Sequence, residues 1–205
     1  MKIGFSVKLT SSDIKLSKTL EKGIVFSCQM CGSCCRGFEE GEVYIYKDDI
    51  ERLTEFLHIS SKAELKKFAK KYLKIIDDSF YWKEPEEQNG KTYTFKSLGF
   101  KFTGDDEHCH FLKDNTCSIH ENRPFQCKCF PFWQMLVSSR ENLIDYAKKC
   151  PGLNVSKGKY YSKEEILDWA NREYEMEKIY FFEIRRNDFN IFKVYPFLSK
   201  DMLYK

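Results

Sequence analysis

Four thiols fall within eight residues in Cys28-Gln29-Met30-Cys31-Gly32-Ser33-Cys34-Cys35, and no other feature of the chain constrains its fold as tightly. A second set, Cys109, Cys117, Cys127, Cys129 and Cys150, follows much later. A cysteine taken singly is a small, readily buried apolar residue, but packing alone does not gather four of them in one stretch. In Cys28-x2-Cys31-x2-Cys34 the intervening turns let neighbouring sulfurs face the same way. Zinc takes four such donors in a tetrahedron, with sulfur at about 2.3 Å. A cubane iron–sulfur cluster can be gripped by the same run, and in two-cluster bacterial ferredoxins a Cys-Pro pair elsewhere completes it. Cys150-Pro151 offers a parallel to that pair. The adjacent side chains of Cys34 and Cys35 diverge, which suits two neighbouring centres or one ligand beside a spare thiol. The two sets are expected to converge on a metal centre.

Thiols in this number could instead form disulfides, so the compartment matters. The start, Met1-Lys2-Ile3-Gly4-Phe5-Ser6-Val7-Lys8-Leu9, has no apolar run of signal-peptide length, and Lys8 interrupts what there is. No stretch approaches the roughly 18 apolar residues that span a bilayer. A cytoplasmic, reducing location is expected, where clustered thiols bind metal or do redox work. The odd count of 9 cysteines also argues against a fully paired set. With 34 basic against 31 acidic residues spread along the chain, neither nucleic acid nor a membrane is an expected partner; a protein partner stays open.

At 205 residues, of which 18 are Phe and 12 Tyr, the chain has bulk for a core that does not depend on metal throughout. The expected fold is a small, helix-rich α+β domain, irregular around the metal centre, with a few helices and a short β-hairpin. Residues 1–158 would form the cysteine-cluster domain, and residues 159–205 a helix and apolar tail packed on it. A strand is expected at Ile3–Leu9, the cysteine knot on a loop turned by Gly32, and a strand at Val43–Tyr46. Ile50, Leu53, Phe56 and Leu57 recur at helical spacing behind Asp48 and Asp49. Ser61-Lys62-Ala63-Glu64 is a capping box, and the helix behind it presents Leu65, Phe68, Ala69, Tyr72, Leu73 and Ile76. Its lysines, Lys66, Lys67, Lys70, Lys71 and Lys74, read as a solvated face. Phe80–Lys83 and Lys91–Phe95 predict a hairpin with Asn89-Gly90 near its turn. The stretch from Cys109 to Cys150 shows few helical signals. A second capping box, Ser162 with Glu165, opens a helix with Ile166, Ala170, Tyr174 and Phe181 inward, ending near Arg185 or Arg186.

His108, His110 and His120 share the second cysteine region, but with thiols already sufficient they read as outer partners or surface residues; His58 reads as structural. Arg123-Pro124 makes a rigid turn before Cys127, and Arg123 can offset the charge of a polythiolate centre. Cys127-Lys128-Cys129 runs into the apolar block Phe130-Pro131-Phe132-Trp133, which can exclude water from the site.

These motifs together resemble the CxxCxxCC, or YkgJ-type, cysteine-cluster family, described as zinc- or iron-chelating and often labelled iron–sulfur proteins. The resemblance rests on Cys28-x2-Cys31-x2-Cys34-Cys35, Cys109-His110-Phe111-Leu112, Cys117-Ser118-Ile119-His120, Arg123-Pro124-Phe125-Gln126-Cys127, Phe130–Trp133 and Cys150-Pro151-Gly152-Leu153. It covers residues 26–153 and implies the ligands Cys28, Cys31, Cys34, Cys35, Cys109, Cys117, Cys127 and Cys150. Cys129 falls on no recurrent family cysteine. The implied cofactor is an iron–sulfur cluster, of 4Fe–4S type in preference, or zinc, with a structural or electron-transfer role. The same cysteine domain is similar to part of flagellin lysine N-methylases, so the alternative is an enzyme or enzyme component, an Fe–S oxidoreductase or a protein-lysine methylase. A second alternative is a thiol redox switch at Cys34 and Cys35, with Arg36 favouring the thiolate.

Overall fold

The computed structural model describes residues 14–39, 41–105 and 107–204; the strand expected at Ile3–Leu9 lies outside them. A short strand, β1 (Ile24–Phe26), leads into the cysteine knot, which runs as a loop into a 3₁₀ turn at Cys34–Glu39. The strand expected at Val43–Tyr46 is reduced to a single bridge, Tyr44 opposite Gly99, flanked by bonds from Ile45 N to Leu98 O and from Phe100 N to Val43 O, both 2.9 Å.

Two helices follow, α1 (Lys47–Phe56) and α2 (Lys62–Tyr72). The box at α2 closes as expected: the Glu64 amide donates to Ser61 Oγ at 3.2 Å, and the Ser61 amide donates to Glu64 Oε2 at 3.0 Å. Lys66, Lys67, Lys70 and Lys71 are exposed while Phe68 and Ala69 are buried, so this is a solvated helix face.

Leu73 and Ile76 correct the expected helix. α2 stops at Tyr72, and Leu73 opens β2 (Leu73–Trp82), which pairs with β3 (Lys91–Phe100) in unbroken antiparallel register from Leu73 opposite Phe100 to Trp82 opposite Lys91. The hairpin is therefore longer than the residues 80–95 read from sequence. In β2 the most buried residues are Leu73, Ile76 and Phe80, spaced like a helical stripe. An isolated two-stranded ribbon twists strongly, so the edge it turns to the core rotates along its length and strict alternation is lost. At the far end Gly90 donates its amide to Tyr81 Oη at 3.2 Å, where any side chain would strike the Tyr81 ring.

Two small hairpins carry the next cysteines. β4 (Phe102–Thr103) pairs with β5 (His108–Cys109), and β6 (Leu112–Lys113) with β7 (Thr116–Cys117). Asp114 and Asn115, the two loop residues of the second, both have positive φ (49° and 59°), the requirement of a tight turn that matches strand twist. The region then becomes more helical than expected: α3 (Phe125–Cys129), α4 (Gln134–Val137) and α5 (Arg140–Lys149). The signals for α5 were present in Ser139, whose Oγ accepts the Asn142 amide at 3.2 Å, and in Glu141 at the start and Lys148-Lys149 at the end.

β8 (Lys159–Tyr161) pairs with β1, Ile24 opposite Tyr161 through Phe26 opposite Lys159. This pairing joins the chain just before the first cysteine set to the chain just after the last cysteine. A side chain at Gly152 would meet Ser27 O at 2.5 Å, so the two segments approach backbone to backbone.

The capping box of Ser162 and Glu165 opens α6 (Lys163–Arg186), whose 24 residues extend for about 36 Å. Ile166, Ala170, Tyr174 and Phe181 are buried as expected, joined by Tyr180 and Ile184. Phe181 stacks on Phe80 at 4.8 Å, and Phe182 meets Trp82 edge-on at 4.9 Å, so α6 and the long hairpin share an aromatic seam. Arg185 pins the hairpin loop through Glu84 at 2.6 Å. Beyond α6 come α7 (Ile191–Val194) and a tail with Tyr195, Leu198 and Met202 buried. The fold is a helix-rich α+β arrangement with short antiparallel strand pairs. Among the described residues no helix is long and apolar enough to cross a membrane.

Candidate metal centre

A cavity of about 340 Å³ is lined by Cys28, Cys31, Cys34, Cys35, Cys109, Cys117, Cys127 and Cys150. They arrive on five supports. The first four ride the loop and 3₁₀ turn, where Met30 (φ 50°) and Gly32 (φ 77°) both take left-handed backbone and fold the knot on itself. Cys35 N then donates to Gly32 O at 3.0 Å, and Arg36 N to Ser33 O at 3.1 Å. Cys109 comes from β5, Cys117 from β7 and Cys127 from α3. Cys150 stands at the C-terminal cap of α5, held by its amide to Tyr146 O at 2.8 Å. Cys129 is set apart: it is fully buried, its Sγ points to Trp169 O on α6 at 3.6 Å, and it does not line the cavity.

The thiols sense one another electrostatically. Cys35 hydrogen-bonds to both Cys117 and Cys34, which holds the proton on Cys35 and raises its pKa. The same bonds are the main cause lowering Cys117 to about 6 and Cys34 to about 7, with the Arg123 charge helping in each case. Burial pushes Cys109 up to about 11 and also raises Cys127 and Cys150. The charges of Cys34, Cys109 and Cys117 reach Cys127, and those of Cys31 and Cys34 reach Cys150, so the two halves of the sequence share one electrostatic neighbourhood. Among the described residues no three His, Cys, Asp or Glu side chains are already arranged to hold a single metal ion.

Arg123 lines the cavity, with its Nε donating to His120 O at 2.8 Å, which directs the guanidinium toward the thiols it stabilises. Arg36 donates to Asn115 Oδ1 at 3.3 Å, tying the knot to the β6–β7 turn. Of the histidines, His120 lines the cavity and pairs with Glu121 at 3.0 Å. His110 packs edge-on against Tyr72 at 5.4 Å with its pKa lowered chiefly by burial, and His58 takes the left-handed position (φ 54°) after α1.

Residues 27–165 match the CxxCxxCC family, described as "Putative zinc- or iron-chelating domain". The chain belongs to that family. No solved structure matches it. The CxxCxxCC match starts just before Cys28 and ends within the first turn of α6, so most of α6 lies beyond the matched residues. That part of α6 reaches the site, because Glu173 and Glu177 line the same cavity.

Sequence reasoning missed two further contributors. Asp49, read only as a favourable charge at a helix start, is fully buried (0% exposed). Its carboxylate accepts from Tyr46 N at 3.1 Å, from Phe125 N at 2.9 Å and from Arg52 at 2.6 Å, while Arg52 also donates to Arg123 O at 3.1 Å. This knot fixes the Arg123-Pro124-Phe125 corner, from which α3 presents Cys127. Gln126 is the other: its Oε1 accepts the Tyr44 amide and its carbonyl accepts Trp133 Nε1 at 2.8 Å, joining the apolar block to the cavity wall. No sequence pattern marks a lone Asp or Gln for such a role.

An all-sulfur donor set suits zinc and iron–sulfur centres, which prefer thiolate, over magnesium or calcium, which prefer oxygen. Phe26, Phe130, Trp133 and Tyr146 complete much of the wall, while Cys28, Cys31 and Cys34 stand on its exposed side.

Proposed function

We propose that Cys28, Cys31, Cys34, Cys35, Cys109, Cys117, Cys127 and Cys150 supply the thiolates for iron–sulfur binding, four to a cluster and of 4Fe–4S type in preference, with a structural or electron-transfer role. One observation carries this reading: cysteines from both ends of the family domain line a single cavity while Cys129 stays outside it. Eight thiols are twice the four that one zinc ion or one 4Fe–4S cluster takes, so the set has donors enough for two centres. When bound, such a cluster supplies a one-electron carrier whose potential follows its charge, hydrogen bonds and burial. The chain's part is to bring the sulfurs together, to offset their charge with Arg123 and to wall one side of the site with Phe130 and Trp133.

Anaerobic purification with absorption spectroscopy, metal analysis and acid-labile sulfide determination tests the proposal. Broad visible absorption with iron and sulfide is the expected result; a colourless protein with stoichiometric zinc rejects the cluster and keeps the site. Arg123→Met is expected to weaken metal binding by roughly 10–100-fold, as loss of a residue beside the ligands does, measured by competition with a chelator. Unchanged affinity removes Arg123 from the site.

A second reading, a thiol switch, is favoured by the hydrogen-bonded trio Cys34, Cys35 and Cys117, two of whose members have lowered pKa values. The cation acting on Cys34 in that trio is Arg123, where the sequence pointed to Arg36.

A further inference from the structure

Away from the thiol cavity, α2 presents a face whose charge nothing in the fold balances. Lys62, Lys66, Lys67, Lys70 and Lys71 are all exposed, on the side opposite buried Phe68 and Ala69, and none of them lines the cavity. The one acid of the helix, Glu64, is turned back onto the amides of Ser60 and Ser61, which donate to its Oε2 at 3.1 and 3.0 Å. Lys70 pairs with Asp201 at 3.2 Å, but Lys62, Lys66, Lys67 and Lys71 have no carboxylate partner among the described residues. Lys62 and Lys66 stand four residues apart, as do Lys67 and Lys71, a spacing at which like charges repel and weaken a helix. The positive field extends past the helix: Lys101, between β3 and β4, donates to Lys70 O at 2.6 Å, which sets its ammonium beside the end of α2.

Negative charge is what such a face lacks, and its chemistry narrows the source. The 11 residues of α2 extend for about 16 Å, a patch the size of one short acidic segment. The helix carries no arginine, whose planar fork grips phosphate. It also offers no exposed ring on which a base could stack, since Phe68 is buried and Tyr72 is stacked on Phe111 at 4.9 Å. None of the exposed large apolar side chains falls on α2, so the face has nothing to insert into a bilayer. Hydrated ammonium groups on flexible stems suit carboxylates on a protein surface, through screened contacts that steer association. We propose that the lysine face of α2 is a docking surface for an acidic segment of a protein partner. The proposal goes beyond the metal reading and holds whichever metal the thiols take.

Fluorescence anisotropy of a labelled oligoglutamate peptide titrated with the whole protein tests it, beside a DNA duplex, a single-stranded RNA and vesicles containing phosphatidylserine. Saturable binding of the peptide, weakened by salt, is expected. Lys66→Gln with Lys67→Gln and Lys71→Gln should weaken that binding about tenfold or more. Glutamine keeps the helix propensity of lysine, so the circular dichroism of the triple variant should match the parent. The same loss of charge elsewhere, at exposed Lys18, Lys22 and Lys163, should leave peptide binding as in the parent. Lys67→Gln alone should weaken binding measurably even if the triple variant folds poorly. No saturable peptide binding, an equal loss in the control, or α2 variants that bind like the parent would overturn the proposal. Tighter binding of the duplex, the RNA or the vesicles that is lost in the α2 triple variant would overturn it as well, and assign the face to a nucleic acid or a membrane.

Discussion

Cys31→Ser is expected to strip the protein of its metal, whereas Cys129→Ser keeps it. Cys31 lines the cavity and its charge is felt by Cys150 across it, so it belongs to the shared set of sulfurs. Serine is a poor thiolate substitute, and loss of a direct ligand should cost more than the roughly 10–100-fold typical of neighbouring residues. Binding energy at such a centre is also folding energy, since the ligands have no common site in the unfolded chain. Thermal melting of Cys31→Ser should therefore fall together with its metal content. Cys129 presents a contrast because it is fully buried against α6 and outside the cavity. Its serine variant should lose some stability, through a hydroxyl in an apolar niche, but retain the metal-to-protein ratio of the parent. A metal-replete, stable Cys31→Ser, or a Cys129→Ser that loses metal, would reverse the assignment of the ligand set.

Asp49→Ala is the largest effect expected away from the thiols. The substitution leaves the amides of Tyr46 and Phe125 without their acceptor and Arg52 without its partner. Removing one member of a buried charged network costs about 3–5 kcal/mol; because the Arg52 side chain is 35% exposed and can rehydrate, the expectation here is about 2–4 kcal/mol. For a chain of this size that corresponds to a fall in melting temperature on the order of 10 °C. Urea denaturation should show the loss in the midpoint with an unchanged slope. Metal binding should weaken as well, because Phe125 N begins the short helix that presents Cys127. Asp49→Asn keeps an acceptor oxygen and should fall between the two; if it matches alanine, the carboxylate charge rather than the hydrogen bonds holds the corner.

Much of the scaffold was readable because its signals are local. A Ser three residues before a Glu satisfies free amides whatever surrounds it, so the starts of α2 and α6 were found from composition and spacing alone. The end of α2 was not, because Leu73, Ile76 and Phe80 repeat as a helix does while lying on a twisted ribbon. Only pairing with β3 distinguishes the two cases, and pairing is a long-range property. α5 carries local signals at its ends in Ser139, Glu141 and Lys148-Lys149, but Leu143 is its one buried residue, so it shows no apolar stripe of helical period. Within the site, the thiols announce themselves by chemistry that few residues share. Asp49, Gln126, Glu173 and Glu177 are ordinary polar residues whose roles exist only through their neighbours.

The sequence by itself carried the resemblance to a metal-chelating family through its motifs from Cys28 to Leu153, and it marked a thiol cluster that packing alone does not explain. It also separated Cys129 from the rest. Tertiary structure decided that both cysteine sets line one cavity, through the pairing of β1 with β8, which brings the chain ahead of Cys28 beside the chain beyond Cys150. It decided too that Arg123 faces the thiols and that α6, most of it beyond the matched residues, brings Glu173 and Glu177 to the cavity. The physical reason is the same in each case: ligand identity is carried by a side chain, but convergence is carried by contacts between residues far apart in the chain.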